Sequence, residues 1–241
     1  MKYLRSEHLK FKRTISNKLL WIAPLVTAIF AWIIGGFIGF QYMTFYWWYA
    51  FLLPGTIAIL CTMSQRKEER AGKYYSILSM PINLMKFEFA KAIVLIEKLL
   101  VASLFLSMFI SVANLISPAM AVYSVSHCFI GSTGVILASV WQIPLCLYLA
   151  RKTGLMLPVA VNSLLGIFAP IIFGHTSFWF LCPYNWSAKL AQPLLGIEIN
   201  GTYTGDVFFS WDILLVLSLS VLLFSLLAFL DAMVFSYKEG N

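Results

Sequence analysis

Charged residues are scarce in this 241-residue sequence, at 11% of the chain, whereas a soluble domain carries about a quarter. The scarcity excludes a soluble globular protein, because a chain that is 61% hydrophobic cannot hide its apolar surface from water. The bilayer is therefore the expected solvent. The net charge of +7 does not indicate nucleic acid, because the basic residues lie beside the hydrophobic runs, where they contact lipid headgroups.

Catalytic motifs are also missing. No GxxxxGK[ST] phosphate loop is present, since Gly72 and Lys73 lack both the upstream glycine and the following hydroxyl. The four cysteines form no CxxC pair and the three histidines are far apart, so the sequence offers no zinc ligand set. We therefore expect no enzyme activity, no metal site and no cofactor bound by this chain.

Six hydrophobic runs predict an all-α membrane protein, with residues 1–241 forming a single transmembrane domain. The predicted spans are residues 19–40, 47–63, 99–116, 129–150, 155–174 and 213–235. Residues 175–212 form a long connection rich in Trp, Pro, Asn and Gly. Asp231 is the only acid well inside a span; we interpret it as a snorkelling or lysine-paired residue, with a proton or substrate role as the alternative.

The distribution of basic residues predicts the orientation. Of the 17 Lys and Arg residues, all except Lys189 lie in the two terminal tails, the second-to-third connection or the fourth-to-fifth connection. Basic residues stay preferentially on the cytoplasmic side. Both termini are therefore predicted to be cytoplasmic, with residues 175–212 outside.

Two cytoplasmic segments have amphipathic patterns. In residues 1–18, Leu4, Phe11 and Ile15 share one helical stripe, which predicts an interfacial helix before the first span; a basic tail that only fixes orientation is the alternative. In residues 64–98, Pro81 separates a charged and apolar helix from a second helix that leads into the third span. An ordinary polar loop would explain this charge but not the order of its elements.

The order of residues in 64–98 resembles the coupling region of six-span permeases of ABC exporters, in which a short helix docks on the ATPase subunit. The matching residues are Glu69, Gly72, Leu78, Pro81, Ile82, Asn83, Ala90 and Lys91. Lys73 departs from the family pattern, which commonly has Thr or Ser there. The resemblance implies an ABC ATPase partner, in two copies, that binds ATP and Mg²⁺, and a second permease chain, identical or paralogous.

A narrower resemblance is to the lantibiotic-immunity permeases of Gram-positive bacteria. It rests on the short length, residues 7–13, the stretch 193–197, and Asn200 followed by Gly201. The resemblance implies a multi-pass protein of the bacterial plasma membrane that expels an amphipathic antimicrobial peptide and so gives immunity or resistance.

Polar and aromatic residues in or near the spans are candidates for a substrate path. Each also has an ordinary interpretation, as an interfacial anchor or a bridge between helices. The candidates are Trp47, Trp48, Asn114, Gln142, Asn162, Trp179, Trp186, Glu198 and Trp211.

Three other functions are open at this point. A permease for a lipid-linked glycan or a hydrophobic drug would share this architecture. An intramembrane protease of the CAAX type has an EExxxR signature, which Glu68 and Glu69 approach, but Lys73 stands where Arg belongs. A passive scaffold or accessory sensor is the third.

Overall fold

The computed structural model describes residues 2–12, 14–70 and 82–239. These residues are predominantly helical, with no strand among them beyond an isolated bridge between Ile197 and Tyr203, so the predicted all-α class is confirmed. The helices are α1 (Lys2–Phe11), α2 (Ile15–Trp47), α3 (Leu53–Arg70), α4 (Leu84–Ile116), α5 (Val125–Ser139), α6 (Gln142–Thr153), α7 (Met156–Phe173), α8 (Trp186–Leu195) and α9 (Trp211–Glu239).

Several of these helices are long and apolar enough to cross a membrane. Within the described ranges they are the run Ile15–Arg70, Leu84–Ile116, Met156–Phe173 and Trp211–Tyr237. A fifth is obtained if α5 and α6, which are bent by 51° at their junction, form one span. The chain is therefore a multi-pass membrane protein.

The run Ile15–Arg70 is not one straight rod, because its backbone reverses direction at Gly36. This residue has φ 56° and ψ −155°, a conformation that glycine adopts without a Cβ clash. Beyond the reversal, the ring of Trp47 packs edge-on against Phe30 at 5.1 Å, and Met63 Sδ lies 3.8 Å from Ser16 Oγ. The two arms of the run therefore lie antiparallel.

The predicted fourth span, residues 129–150, is not one straight helix but falls on the bent pair α5 and α6. Pro144 explains the bend, because it has no N–H to donate to the carbonyl of Val140. That carbonyl instead accepts from the N–H of Ile143 at 3.0 Å, which tightens the turn at the junction.

The connection 175–212 does not simply cross the surface. Helix α8 lies along α5, since Ser187 Oγ is 2.9 Å from Ser139 Oγ and Leu195 packs on Gly131. After α7 the chain therefore turns back between the apolar helices as far as Ser139. Helix α8 then leads it out again, alongside α5, to the end of the bundle at which α7 finishes.

Opposite ends of the bundle differ in chemistry. At one end, which we call the aromatic end, Tyr203 stacks on Tyr42 at 5.2 Å and meets Tyr123 edge-on at 5.8 Å. There Gln41 Oε1 accepts from the N–H groups of Val122 and Tyr123 at 2.8 Å each, which ties a connection to α2. At the other end, charged side chains are buried between the helices.

Candidate functional site

A chain of buried ion pairs joins five helices at the end opposite the aromatic end. We call it the ionic cluster. Its side chains come from α1, α3, α4, α6 and α9, and four acids alternate with three bases. The members are Glu7, Lys10, Glu68, Glu88, Lys91, Arg151 and Asp231.

Lys91 of α4 is the centre of the cluster and is only 1% exposed. Its Nζ donates to Glu68 Oε2 of α3 at 2.6 Å and to Glu88 Oε1 at 2.8 Å. The rings of Phe87 and Phe235 lie 5.0 and 5.9 Å from the ammonium and exclude water from it. Such a buried charge is tolerated because it is paired on two sides.

Arg151 extends the cluster to α6 and α9. One guanidinium nitrogen donates to Glu88 Oε2 at 3.1 Å, and the two terminal nitrogens reach the two oxygens of Asp231 at 3.1 and 3.3 Å. Arginine suits this position because its planar fork meets a carboxylate at two points. Asp231 is thus a paired residue, as interpreted from the sequence, although its partner is arginine rather than lysine.

Helix α1 docks on the cluster through Lys10. The ammonium contacts Glu7 and donates to Glu68 Oε1 at 2.9 Å, while Lys67 Nζ donates to the backbone carbonyl of Lys10 at 2.8 Å. Glu7 is fully buried, and burial raises the pKa of its carboxyl above the usual value despite the neighbouring Lys10. The first helix is therefore fastened to the ends of α3 and α4 rather than lying apart.

A comparison with known families shows which kind of membrane protein carries this cluster. Residues 3–169, more than half of the chain, match the family described as ABC-2 family transporter protein. The chain belongs to that family. Its members are the membrane components of ABC transporters and work with an ABC ATPase. No curated protein and no solved structure matched the chain.

The predicted coupling residues of this ABC-2 permease lie before, within and after residues 71–81. Gly72, Leu78 and Pro81 lie outside the described residues. Glu69 is exposed at the end of α3, whereas its neighbour Glu68 is buried in the ionic cluster. The sequence analysis included Glu69 but not Glu68 among the coupling residues. The signal that could have indicated Glu68 is the pair of adjacent acids before a basic and apolar stretch.

After residues 71–81, Ile82 is half-buried against Phe87 and Phe235. Asn83 caps α4, where its Oδ1 accepts from the N–H of Lys86 at 2.9 Å. The N–H of Asn83 donates to the hydroxyl of Tyr3 at 3.2 Å, which connects the predicted coupling region to α1. Lys91, the last predicted residue, occupies the centre of the cluster.

Two of the predicted path residues of the permease come together. The amide nitrogen of Asn162 donates to Gln142 Oε1 and to the carbonyl of Pro54, both at 3.0 Å. Tyr184 donates to Asn162 Oδ1 at 2.7 Å. Tyr184 was missed from the sequence, where only its place beside Trp186 in an aromatic stretch marked it. This network joins α3, α6, α7 and the segment before α8.

The other path candidates are dispersed in the described part of the chain. Trp186 donates to the carbonyl of Phe180 at 3.0 Å, and Trp179 lies beneath Lys189 at 5.6 Å.

Trp48 is buried in the core, Trp47 packs on Phe30, and Asn114 is half-buried near the end of α4. Glu198 accepts from Gln192 at 2.6 Å, and Trp211 is 76% exposed at the start of α9.

Proposed function

We propose that this chain is the six-span permease subunit of an ABC exporter, with both termini in the cytoplasm. The count of six treats the two antiparallel arms of the run Ile15–Arg70 as two spans and the bent pair α5 and α6 as one. Support comes from the reversal at Gly36, since a straight 56-residue helix would extend about 84 Å, far beyond a bilayer. The basic connections then all lie at the end that carries the ionic cluster.

The observation that carries the proposal is the position of the ionic cluster inside the predicted coupling region 64–98, on both sides of its central residues 71–81. Glu68 precedes residues 71–81 and Lys91 follows them, and their side chains are joined at 2.6 Å. A displacement of the segment between them would therefore be transmitted to α3 and α4 together. Through Glu88 and Arg151 it would reach α6 and α9, because breaking a buried ion pair costs about 3–5 kcal/mol.

The proposed cycle follows from this arrangement. Two copies of an ABC ATPase bind ATP and Mg²⁺ and close beneath the coupling region. Each permease of a pair, identical or paralogous, receives the motion at Glu69 and the neighbouring coupling residues. The ionic cluster transmits it as one body to the ends of five helices, and the spans rearrange to release the substrate outward.

The proposed cargo is an amphipathic antimicrobial peptide, a lantibiotic, taken from the membrane and expelled to give immunity. Nearly uncharged spans offer little to a hydrophilic solute. The edge near the start of α9 is aromatic, with Phe209 and Trp211 exposed and in edge contact at 5.8 Å. The acids Glu198, Asp206 and Asp212 exceed the single base Lys189 in this connection and would attract a cationic peptide.

The CAAX-type protease is disfavoured by the surroundings of Glu68. That carboxylate is held by Lys10 and Lys91, whereas His8 pairs with Glu97 and His127 contacts the carbonyl of Leu194 at the aromatic end. Among residues 2–12, 14–70 and 82–239, no group of three His, Cys, Asp or Glu could hold a metal ion.

Export of a lipid-linked glycan or hydrophobic drug stays as the second candidate because it uses the same architecture.

The test compares two adjacent acids. The permease is expressed with its ATPase in a sensitive Gram-positive host, which is challenged with a panel of lantibiotics while growth and cell-bound peptide are measured. Glu69→Gln removes an exposed carboxylate at the predicted docking site and should lower protection and peptide-stimulated ATP turnover while leaving thermal stability unchanged. Glu68→Gln should also lower thermal stability. The host that carries the unsubstituted permease and its ATPase is also compared with the host that lacks them. Equal sensitivity of these two strains to every peptide, together with restored glycan export in a glycan-export-deficient strain, would assign the glycan as cargo instead.

A further inference from the structure

A basic cleft opens on the face of α1 that points away from the ionic cluster. Arg5 and His8, which are three apart in the helix, and Lys12, which follows its last residue, line that face, whereas Glu7 and Lys10 point to the cluster. Lys98 of α4 forms the opposite wall, and Phe11 lies at the base. The cleft is open to its surroundings and has a volume of about 330 Å³.

The cleft has an excess of positive charge. Arg5, Lys12 and Lys98 have no carboxylate partner within the ranges that the structure describes. The nearby Glu97 is paired with His8 at 2.7 Å, and Lys98 is instead placed 5.7 Å from the ring of Phe11. Three cations therefore face the single nearby carboxylate of Glu97, and this excess of positive charge favours binding of an anion.

Apolar surface adjoins these cations. Leu9 lines the cleft and is 61% exposed, and Ile15 at the start of α2 is 72% exposed. Val101 lies exposed one turn from Lys98 along α4, in the direction of the apolar helices. A ligand that uses both features must carry an anionic head and a hydrocarbon tail.

We propose that this cleft binds the phosphodiester headgroup of an anionic phospholipid, with its acyl chains along α2 and α4. Arg5, Lys12 and Lys98 hold the phosphate oxygens, and Leu9 and Ile15 contact the glycerol and upper chains. The bound lipid would hold α1 in place from the face opposite the ionic cluster. This goes beyond the transport function proposed above and requires only that α1 lies at the membrane surface.

The test measures lipid retention by the full chain. The protein is purified in nanodiscs containing equal amounts of phosphatidylglycerol and phosphatidylcholine, released into mild detergent, and its bound lipids are counted by native mass spectrometry. The double variant Arg5→Gln/Lys98→Gln should retain about 25-fold less phosphatidylglycerol, at about fivefold for each charge removed. The matched control is Arg66→Gln/Lys86→Gln, which removes two exposed charges outside the cleft and should retain lipid like the parent.

Three results would overturn the proposal. The first is equal retention of phosphatidylglycerol by the cleft variant and the control. The second is equal retention of phosphatidylcholine and phosphatidylglycerol by the parent, which would mean that net charge is not recognised. The third is displacement of the lipid by glycerol 3-phosphate at concentrations similar to that of the lipid, which would assign the site to a soluble phosphate. Thermal unfolding midpoints are compared after the bound lipid has been removed, and equal midpoints of the parent and both double variants then separate loss of binding from loss of fold.

Discussion

Lys91 and Glu68 are 23 residues apart in the chain, yet the Lys91 ammonium lies 2.6 Å from the Glu68 carboxylate and both side chains are almost completely buried. This contact joins α3 to α4 within the predicted coupling region, residues 64–98. It also explains why two charged residues are accepted in an apolar setting, since each satisfies the other and Glu88 and Lys10 complete the pairing.

Replacement of Lys91 by Met is expected to destabilise the permease by about 3–5 kcal/mol, because it leaves Glu68 and Glu88 buried with less positive charge to compensate them. The measurement is the thermal unfolding midpoint of the purified protein in detergent. Lys86→Met is the matched control, since Lys86 is exposed on the same helix and should have little effect. Adding Glu88→Gln to Lys91→Met should recover part of the loss. A midpoint for Lys91→Met equal to that of the control would contradict the central position of this lysine.

Replacement of Asp231 by Asn should weaken the attachment of α9 to α6, because Arg151 loses a carboxylate that it contacts with two nitrogens. Arg151 keeps its bond to Glu88, so a loss of about 1–3 kcal/mol is expected, less than for Lys91→Met. The control is Asp212→Asn, in the exposed first turn of the same helix. The two variants are compared by thermal unfolding and by peptide-stimulated ATP turnover with the ATPase present. Equal behaviour of both would show that the pair with Arg151 has no consequence.

The ionic cluster shows what the sequence could and could not predict. The apolar runs and the one-sided basic residues were sufficient for a helical membrane protein of the permease class. Glu68 and Glu69 are chemically identical in the sequence, however, and one position along a helix turns a side chain by about 100°. Which of them is buried depends on Lys10 and Lys91, which only the folded chain brings near.

The bend between α5 and α6 and the path of α8 could not be predicted from the sequence either, because both depend on contacts between distant residues. Residues 129–150 form a nearly continuous apolar run, which predicts a straight span, and Pro144 alone does not reveal where or how far the helix bends. The return of α8 along α5 was not predicted either. The aromatic and amide residues of α8 and of the segment before it are typical of a membrane surface, and their partners, such as Asn162 for Tyr184, lie elsewhere in the chain.

Replacement of Asn162 by Ala is expected to lower stability by about 1–3 kcal/mol, since the Tyr184 hydroxyl, Gln142 Oε1 and the Pro54 carbonyl would lose their partner together. Tyr184→Phe removes only one of these bonds and should cost less. Asn200→Ala, at an exposed position near the aromatic end, is the control. Thermal unfolding of the three variants in one detergent gives the ranking. The reverse order, with Tyr184→Phe the more destabilising, would contradict the central position of the Asn162 amide, because Phe keeps the aromatic ring and loses only the hydroxyl bond to Asn162.

Gly166 of α7 lies close to the π-helical segment Trp48–Leu52 and to the start of α3, and this contact leads to the last prediction. Pro54 has no N–H to donate to the carbonyl of Ala50, and α7 passes directly over that oxygen. A Cβ added at Gly166 would lie 2.4 Å from the Ala50 oxygen and 3.1 Å from the Pro54 ring. The first of these atoms belongs to the backbone and cannot rotate away.

Replacement of Gly166 by Ala is therefore expected to separate α7 from the π-helical segment Trp48–Leu52 and to destabilise the permease by at least about 1–3 kcal/mol. Separation of these helices would also lengthen the hydrogen bond between Asn162 and Pro54, so Gly166→Ala and Asn162→Ala should be less than additive when combined. The control is Gly39→Ala, where the nearest atom is the Tyr42 hydroxyl at 3.2 Å, the end of a side chain that can move. Yield of monodisperse protein and the thermal midpoint are measured for each variant. A Gly166→Ala protein as stable as Gly39→Ala would mean that α7 does not approach the segment Trp48–Leu52 this closely.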